Sequence, residues 1–156
     1  MTSDQADRGQ LEVRAMDEQE CRALLAGHSL GRLAFSFRDR VDIQPLHFVL
    51  DGDWLFGRTS EGEKLETLEH HRWVAFQVDR VQDAHHWESV VVRGAFHVLS
   101  ARASRDESRL LERATTVIRT HLPWSFSEAD PTPQRTVVFG ISIQEVSGRR
   151  ARLVAS

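Results

Sequence analysis

Alternation of apolar and polar residues with a period of two, interrupted by short turns, is the feature that most restricts the fold of this chain. Residues 30–37 alternate in this way, and a second run over 41–50 follows a polar turn. Asp51-Gly52 then separates the second run from a third over 54–59, which is a strong β-hairpin signal. Strands joined by such short turns pair antiparallel, because a parallel crossover needs about a dozen connecting residues.

Three further strands and three helices complete the predicted order. The strands cover 73–78, 89–99 and 135–146, and the helices cover 17–27, 62–70 and 104–122. Asp17 and Glu20 have the spacing of a capping box, and Gly94 predicts a bulge or a close approach. Pro45 indicates an edge strand, a bulge or backbone left free for a ligand. Six strands with few helices predict a mainly β (α+β) domain built as a small, closed or partly closed barrel.

Composition limits the classes of function. The chain has 156 residues, 40% hydrophobic and 28% charged, so we expect a flexible tail over 1–13 and one domain over 14–156. The net charge of -3 gives no general reason to bind nucleic acid or a membrane surface. Cys21 is the only cysteine, which excludes an intramolecular disulfide. Without a secretory signal or about 18 consecutive apolar residues, we expect a cytoplasmic protein.

The segment Arg58-Thr59-Ser60-Glu61-Gly62-Glu63-Lys64 lies between a predicted strand and a predicted helix. A helix N-terminus offers free backbone N–H groups and a partial positive charge, and this segment adds two hydroxyls and two cations. These groups favour a phosphate-binding loop. A polar loop with solvated charges is the alternative, and the segment lacks the spacing of a P-loop.

Two other segments suit a flat ligand. Trp87, Glu88 and Ser89 lie at the entrance of the fifth strand, where an aromatic side chain can border a flat ring; a barrel lid and a solvated charge are the alternative. The segment 42–47 contains Pro45, so its backbone groups can form hydrogen bonds with the heteroatoms of a ligand. An ordinary edge strand is the alternative interpretation.

The other chemistry-bearing residues indicate no catalytic group. The adjacent pairs His70-His71 and His85-His86 lack the i, i+4 spacing of a helical metal site, so we expect no metal. Haem ligation by a single histidine is a weaker alternative. Cys21 lies on an apolar helix face, and the chain has neither a Gly-x-Ser-x-Gly motif nor a tyrosine. The catalytic residues therefore stay unassigned.

Five segments in register resemble the pyridoxamine 5′-phosphate oxidase-like superfamily, the FMN-binding split β-barrels, and within it the flavin-nucleotide-binding and nitroimidazole-resistance-related branch. The matching segments are Leu30-Gly31-Arg32-Leu33-Ala34-Phe35, Pro45-Leu46-His47-Phe48-Val49, Arg58-Thr59-Ser60-Glu61-Gly62-Glu63-Lys64-Leu65, Val74-Ala75-Phe76-Gln77-Val78-Asp79 and Trp87-Glu88-Ser89-Val90-Val91-Val92-Arg93-Gly94. The resemblance covers roughly residues 14–149. It implies a six-stranded antiparallel split β-barrel with flanking helices, and a homodimer that holds FMN at the subunit interface.

The resemblance also implies roles for particular residues. Lys64 would hold the cofactor phosphate, with Arg58 and Thr59 along the phosphate and ribityl path. Trp124 of the C-terminal loop would cover the site. Four residues would lie along the isoalloxazine ring, which are Ile43, Gln44, Pro45 and Leu46. Three would approach the cofactor from the second subunit, which are Trp87, Glu88 and Ser89.

The chain departs from the family pattern at three positions. Glu88 stands where relatives have a small residue, and its carboxylate opposes phosphate binding unless a cation pairs with it. Gln77 stands where relatives often have glutamate, and Gly57 stands where nitroimidazole-resistance proteins carry a ring-side histidine. The arginine-rich motif of true pyridoxamine phosphate oxidases has no convincing match, so we do not expect vitamin B6 oxidation.

The expected function is that of an FMN-dependent oxidoreductase acting on an unknown small molecule. The flavin would perform the redox chemistry, and the protein would position the ring and exclude water. The alternatives are a non-catalytic protein that binds or stores a flavin, a deazaflavin or haem, and a dimeric scaffold without a cofactor.

Overall fold

A computed structural model describes residues 9–155 of the chain. These residues form seven strands and three helices, in which all the predicted elements are present and β5, β6 and β7 are longer than expected. The strands are β1 Gln10–Met16, β2 Leu30–Phe37, β3 Arg40–Asp51, β4 Trp54–Thr59, β5 Trp73–Asp83, β6 His86–Val98 and β7 Val137–Val154. The helices are α1 Glu18–Ala26, α2 Glu63–His70 and α3 Arg105–His121.

Six of the strands close into a barrel. Their order is β7-β4-β3-β2-β5-β6, every pairing is antiparallel, and β6 pairs with β7 to close the ring. Gly52 forms the predicted hairpin turn with a φ of 58°, which glycine adopts without steric cost. Gly94 marks a register shift between β6 and β7, where a Cβ would lie 2.0 Å from the carbonyl oxygen of Ser142. The predicted antiparallel barrel and its close approach at Gly94 are therefore confirmed.

The strand β1 was not predicted. It pairs with the C-terminal half of β7, from Gln10↔Val154 to Met16↔Gly148. Residues 10–13 thus belong to the sheet and not to the flexible tail expected over 1–13, and the arginines after Gly148 lie in β7, beyond the predicted end of that strand at 146. The remainder of the expected tail, 1–8, lies outside the described residues. A pairing between the two ends of the chain leaves no local signal in either segment.

The first two helices contribute to the core inside the barrel. Leu24 and Leu25 of α1 and Leu65 and Leu68 of α2 belong to the same buried cluster as the inward-facing residues of the strands. Burial of one leucine side chain contributes roughly 1.5–3 kcal/mol, so these contacts hold both helices against the barrel. The predicted capping box at α1 is present, since the Glu20 N–H donates to the side chain of Asp17 at 2.8 Å and the Asp17 N–H donates to the side chain of Glu20 at 3.2 Å.

The third helix packs on the outside of the barrel. Ala114 and Ile118 of α3 form a second buried cluster with Phe56 of β4 and Val138 of β7. An irregular segment over 122–136, here called the Pro loop, leads from α3 back to β7. Of the helices in residues 9–155, none is both long and apolar enough to cross a membrane.

One outer face of the barrel is not covered by any helix in residues 9–155. Strand alternation and register place Val41, Ile43, Trp73 and Val81 on the outer side of β3 and β5, and these four residues define the open face. Their exposed fractions are 82%, 63%, 72% and 64%. Four large apolar side chains therefore lie exposed on one side of the sheet.

The first half of β3 is an edge strand. Residues 40–47 pair with β2 on one side, whereas the pairing of β4 with β3 is confined to Phe48–Asp51. Because β4 ends at Thr59 and the chain then enters α2, a gap opens in the barrel wall beside Pro45. The edge-strand interpretation of Pro45 is confirmed, and the gap sets the place of the candidate site.

Candidate functional site

A cleft of about 560 Å³ lies in the gap between the edge of β3 and the start of α2. It brings together five of the predicted cofactor-binding residues, which are Gln44, Pro45, Leu46, Thr59 and Lys64. Ser60, Glu61, Gly62, Glu63 and Arg135 complete its lining. The phosphate-binding loop and the 42–47 segment, which the sequence suggested separately, therefore form one site.

Lys64 is the only lysine of the chain and lies on the exposed side of this cleft. Its Nζ donates to Oε1 of Gln44, which links α2 to the edge of β3. Among residues 9–155, neither Lys64 nor Arg135 forms an ion pair with a carboxylate. Two cations without a carboxylate partner therefore line the same cleft.

The N-terminus of α2 adds hydrogen-bond donors to the cleft. Gly62 occupies the N-cap position, and within the described part of the chain no side chain caps the first N–H groups of the helix. These groups and the hydroxyls of Thr59 and Ser60 can donate to an anion. Two carboxylates also line the cleft, but both are exposed, and Glu63 lies in the first helical turn, where the helix dipole favours negative charge. The cleft thus has the chemistry of a site for a phosphate group.

Arg58 does not lie in this cleft, although the sequence suggested it as a phosphate ligand. Its side chain is only 6% exposed, and Nη1 donates to Oδ2 of Asp130 at 2.7 Å. The guanidinium also lies 5.6 Å from the ring centre of Trp124 and 4.6 Å from that of Phe126. The charge of Arg58 is neutralised inside the Pro loop and is not free for a ligand.

Asp130 is the centre of a hydrogen-bond cluster in the Pro loop. Besides the bond from Arg58, it accepts bonds from the Phe126 N–H at 3.0 Å and from the N–H and hydroxyl of Thr132 at 2.8 and 3.1 Å. The Arg58 guanidinium and these donors hold the pKa of the Asp130 carboxyl well below its usual range. This cluster was missed in the sequence, because Arg58 lies 72 residues before Asp130 and only the fold brings them together.

Trp124 covers His47 and not the cleft. The two rings meet edge to face with centres 5.3 Å apart, and the buried Nδ1 of His47 has no hydrogen-bond partner among residues 9–155. Burial, together with the nearby cations of Arg135 and Arg58, lowers the pKa of His47. Burial therefore disfavours a charged His47 ring, and Trp124, which was expected to cover the site, does not line the cleft of its own chain.

The predicted segment 87–89 belongs to β6, which is separated from β3 by β2 and β5 in the sheet, and its residues point in alternate directions. Trp87 and Ser89 are paired with Val81 and Asp79 of β5, which places both on the same outer side as the open face. Ser89 Oγ accepts a bond of 3.0 Å from Gln77. Neither residue lines the cleft of its own chain.

Glu88 faces the opposite side of the sheet. Its carboxylate accepts bonds from Arg80 at 2.6 Å and from Arg150 at 3.2 Å, and the side chain is 16% exposed. Burial alone would raise the pKa of Glu88, but the two arginines outweigh that effect and lower it. The carboxylate that departs from the family pattern is thus neutralised by cations of its own chain.

A second, larger groove of about 800 Å³ lies between α2 and α3. Glu69, Asp106 and Glu107 line it together with Arg72 and two histidines, and burial lowers the pKa of one of these, His97. The excess of carboxylates disfavours an anion there, so the cleft beside Lys64 is the better phosphate site. Within residues 9–155, no three His, Cys, Asp or Glu side chains are grouped closely enough to hold a metal ion.

Comparison with known proteins supports the same family. The pyridoxamine 5′-phosphate oxidase family model matches residues 17–150. An uncharacterized protein of Rhizobium meliloti (strain 1021) is 26% identical over 145 residues, covering 89% of this chain and 95% of that protein.

Two solved structures have the same fold over nearly the whole chain. A FAD-binding protein from Mesorhizobium loti has a TM-score of 0.70 and 28% identity, covering 88% of this chain and 97% of that one. A FAD-binding protein from Mycobacterium smegmatis has a TM-score of 0.63 and 26% identity, covering 89% of this chain and 100% of that one. With the family model matching most of its length, the chain belongs to the pyridoxamine 5′-phosphate oxidase family, as its five sequence segments predicted.

Proposed function

We propose that the protein binds a flavin nucleotide, FMN, in the cleft between β3 and α2 and acts as a flavin-dependent oxidoreductase on a small molecule. The observation that carries the proposal is the juxtaposition of Lys64, which has no carboxylate partner in residues 9–155, with the uncapped N-terminus of α2 and the free edge of β3. The FAD-binding proteins from Mesorhizobium loti and Mycobacterium smegmatis, at 28% and 26% identity, support a flavin ligand.

Different residues of the cleft would bind the phosphate and the ring of the flavin. Lys64, Thr59 and the first N–H groups of α2 would hold the phosphate. The backbone of Gln44, Pro45 and Leu46, which faces the gap, would lie along the ring. Arg58 is left out of this assignment, because its charge is already paired with Asp130.

We further propose that the open face is covered by a second copy of the chain. Pro45 lines the cleft and also lies on the outer side of β3 with Ile43, so a partner seated on the open face would border the cleft as well. Trp87 and Ser89 lie on that same outer side and would reach the partner's flavin, as the family resemblance implies. Glu88 points away and would take no part.

The bound flavin would supply the transfer of electrons or hydride, and the chain would supply binding and orientation. The apolar open face, once covered by a partner, would keep water from the ring. Lys64 and Thr59 would fix the phosphate end, so that the ring lies in one position against the β3 edge.

The proposal is tested by the absorbance spectrum of the purified full chain, recorded before and after addition of FMN and desalting. Flavin bands retained by the wild type and lost in Lys64→Ala would support the site. A protein that stays colourless with FMN and with FAD would contradict it. Reduction of the bound flavin by a nicotinamide donor, followed by reoxidation with a substrate, tests the oxidoreductase role separately.

A non-catalytic flavin carrier is a second candidate, because both FAD-binding relatives are named for what they bind and not for a reaction. In that case the protein would retain flavin but show no turnover with any donor and acceptor pair. The two functions share the cleft and differ only in whether the bound flavin cycles between its redox states.

A further inference from the structure

We propose that Arg135 is a second phosphate-binding cation of the cleft, and that the buried Arg58–Asp130 pair is a positioning device that holds Arg135 there. This inference rests on the proposed flavin site and adds residues that the sequence motifs did not suggest. Arg58, which matches the family's phosphate-binding segment, would then act on phosphate binding only indirectly, by positioning Arg135.

The position of Arg135 suits a ligand contact. It is the penultimate residue before β7, it lines the cleft together with the start of α2, and it is partly buried. Its guanidinium forms no ion pair with a carboxylate in residues 9–155, unlike that of Arg58. An arginine fork that is partly buried and lacks an anionic partner favours binding of a planar or tetrahedral anion such as phosphate.

Both backbone polar groups of Arg135 are fixed by the Asp130 cluster. Its N–H donates to the carbonyl oxygen of Thr132 at 3.0 Å, and its carbonyl oxygen accepts from Arg58 Nη1 at 3.2 Å. The same Nη1 donates to Asp130, and Thr132 donates to Asp130 through its N–H and its hydroxyl. The backbone of Arg135 is thus held at two points by residues that hold one another.

Arg58 cannot exchange this role for direct phosphate binding. If its guanidinium turned toward the cleft, the Asp130 carboxylate would remain buried with its main cation removed, which is strongly unfavourable. The Pro loop would also lose the contact between Arg58 and Phe126, in which the guanidinium lies 4.6 Å from the ring centre. The loop is therefore pre-organised before any ligand arrives, which reduces the entropy lost on binding.

Paired titrations with FMN and riboflavin test the inference, since the two ligands differ only by the phosphate. We expect Arg135→Gln in the full chain to weaken FMN binding about tenfold or more, with riboflavin affinity changed less than about twofold. Arg135→Lys should recover part of the FMN affinity. Asp130→Asn should weaken FMN in the same selective way but by a smaller factor.

A double-mutant cycle separates positioning from direct contact. If Asp130 acts through Arg135, the double variant Arg135→Gln/Asp130→Asn should bind FMN no more weakly than Arg135→Gln alone. Additive losses would overturn the positioning role. Should Asp130→Asn fail to fold, Thr132→Val, which removes one hydroxyl from the cluster, takes its place in the cycle.

The outcomes also distinguish this inference from the proposed function. Wild-type FMN affinity in Arg135→Gln, together with a large loss in Lys64→Ala, would overturn the role of Arg135 and leave the flavin site standing. Absence of binding of either flavin to the wild type would overturn both. An equal loss for FMN and riboflavin in Arg135→Gln would also contradict a phosphate contact.

Discussion

Arg58 and Asp130 form a buried ion pair 72 residues apart in sequence, with 2.7 Å between Nη1 and Oδ2. Their side chains are 6% and 3% exposed. The pair ties the Pro loop to β4 beside the cleft, so a residue that the sequence suggested as a ligand contact instead fixes the structure around the site. Its consequences for stability can be measured without any ligand.

The Asp130 pair gives the stability of the protein a dependence on acid pH. Because the pKa of Asp130 is lower in the folded chain than in the unfolded one, its stabilising contribution is present above the unfolded value of about 3.9 and is lost as the pH falls through the folded value. We expect Asp130→Asn to lower the melting temperature at neutral pH and to lessen the loss of stability below about pH 4. Asp53→Asn, at an exposed carboxylate, is the matched control. Equal acid dependence in wild type and Asp130→Asn would contradict this account.

Lys64→Ala tests the phosphate end of the cleft. A charged hydrogen-bonding partner contributes enough that we expect FMN affinity to fall roughly 10- to 100-fold. Riboflavin affinity should change little, because it lacks the phosphate, and the exposed position of Lys64 should leave the melting temperature unaltered. Fluorescence titration with both ligands measures the difference. A parallel loss for both flavins would place Lys64 elsewhere along the ligand.

Gly57→Ala tests how tightly the barrel is packed at the position where nitroimidazole-resistance proteins carry a histidine. A Cβ there would lie 2.5 Å from the ring of Phe139 and 2.7 Å from the carbonyl oxygen of His47, and both neighbours are held in the barrel. We expect Gly57→Ala to lower the free energy of unfolding by about 1–3 kcal/mol in urea titrations. Gly27→Ala, whose Cβ would meet its nearest neighbour at 3.5 Å, should stay within about 0.5 kcal/mol of wild type. Similar free energies of unfolding for the two variants would contradict this expectation, since they would show that Phe139 and its neighbours can move to make room for a Cβ at Gly57.

The open face is tested by the mass of the protein in solution. Ile43 is 63% exposed in the single chain, so Ile43→Glu should leave the fold intact while opposing burial against a second copy. We expect a dimeric wild type and a shift of Ile43→Glu toward the monomer in sedimentation experiments. Thr116→Glu, at an exposed threonine of α3, the helix that packs on a different part of the barrel, should stay dimeric. A monomeric wild type, or equal dissociation of both variants, would remove the open face as the dimer surface.

The sequence predicted the parts of the fold that local signals specify. Asp51-Gly52 produced a hairpin, Asp17 and Glu20 a capping box, and Gly94 a close approach, because turn and cap chemistry depends on neighbouring residues. The pairing of β1 with the end of β7 could not be predicted, since it joins opposite ends of the chain.

The site residues too were predicted where local sequence patterns specify them, and not where distant contacts do. Lys64 and Thr59 were identified because they follow a strand and open a helix, which is a local pattern. Arg58 belongs to the same local pattern, but its guanidinium forms an ion pair with Asp130 of the distant Pro loop and is not free for a ligand. Arg135 was hidden because nothing in the loop sequence indicates that the segment returns to β4 beside the α2 N-terminus.

The most direct test of the phosphate site uses the fact that Lys64 is the only lysine. Reductive methylation with a carbon-13 label keeps its positive charge and gives one lysine signal in NMR spectra, which the otherwise matched Lys64→Arg variant identifies by lacking it. We predict that this signal shifts in a saturable way as FMN is added and shifts far less with riboflavin. A Lys64 signal that does not move while FMN binds elsewhere, or that responds equally to both ligands, would contradict the assignment of the cleft as the flavin phosphate site.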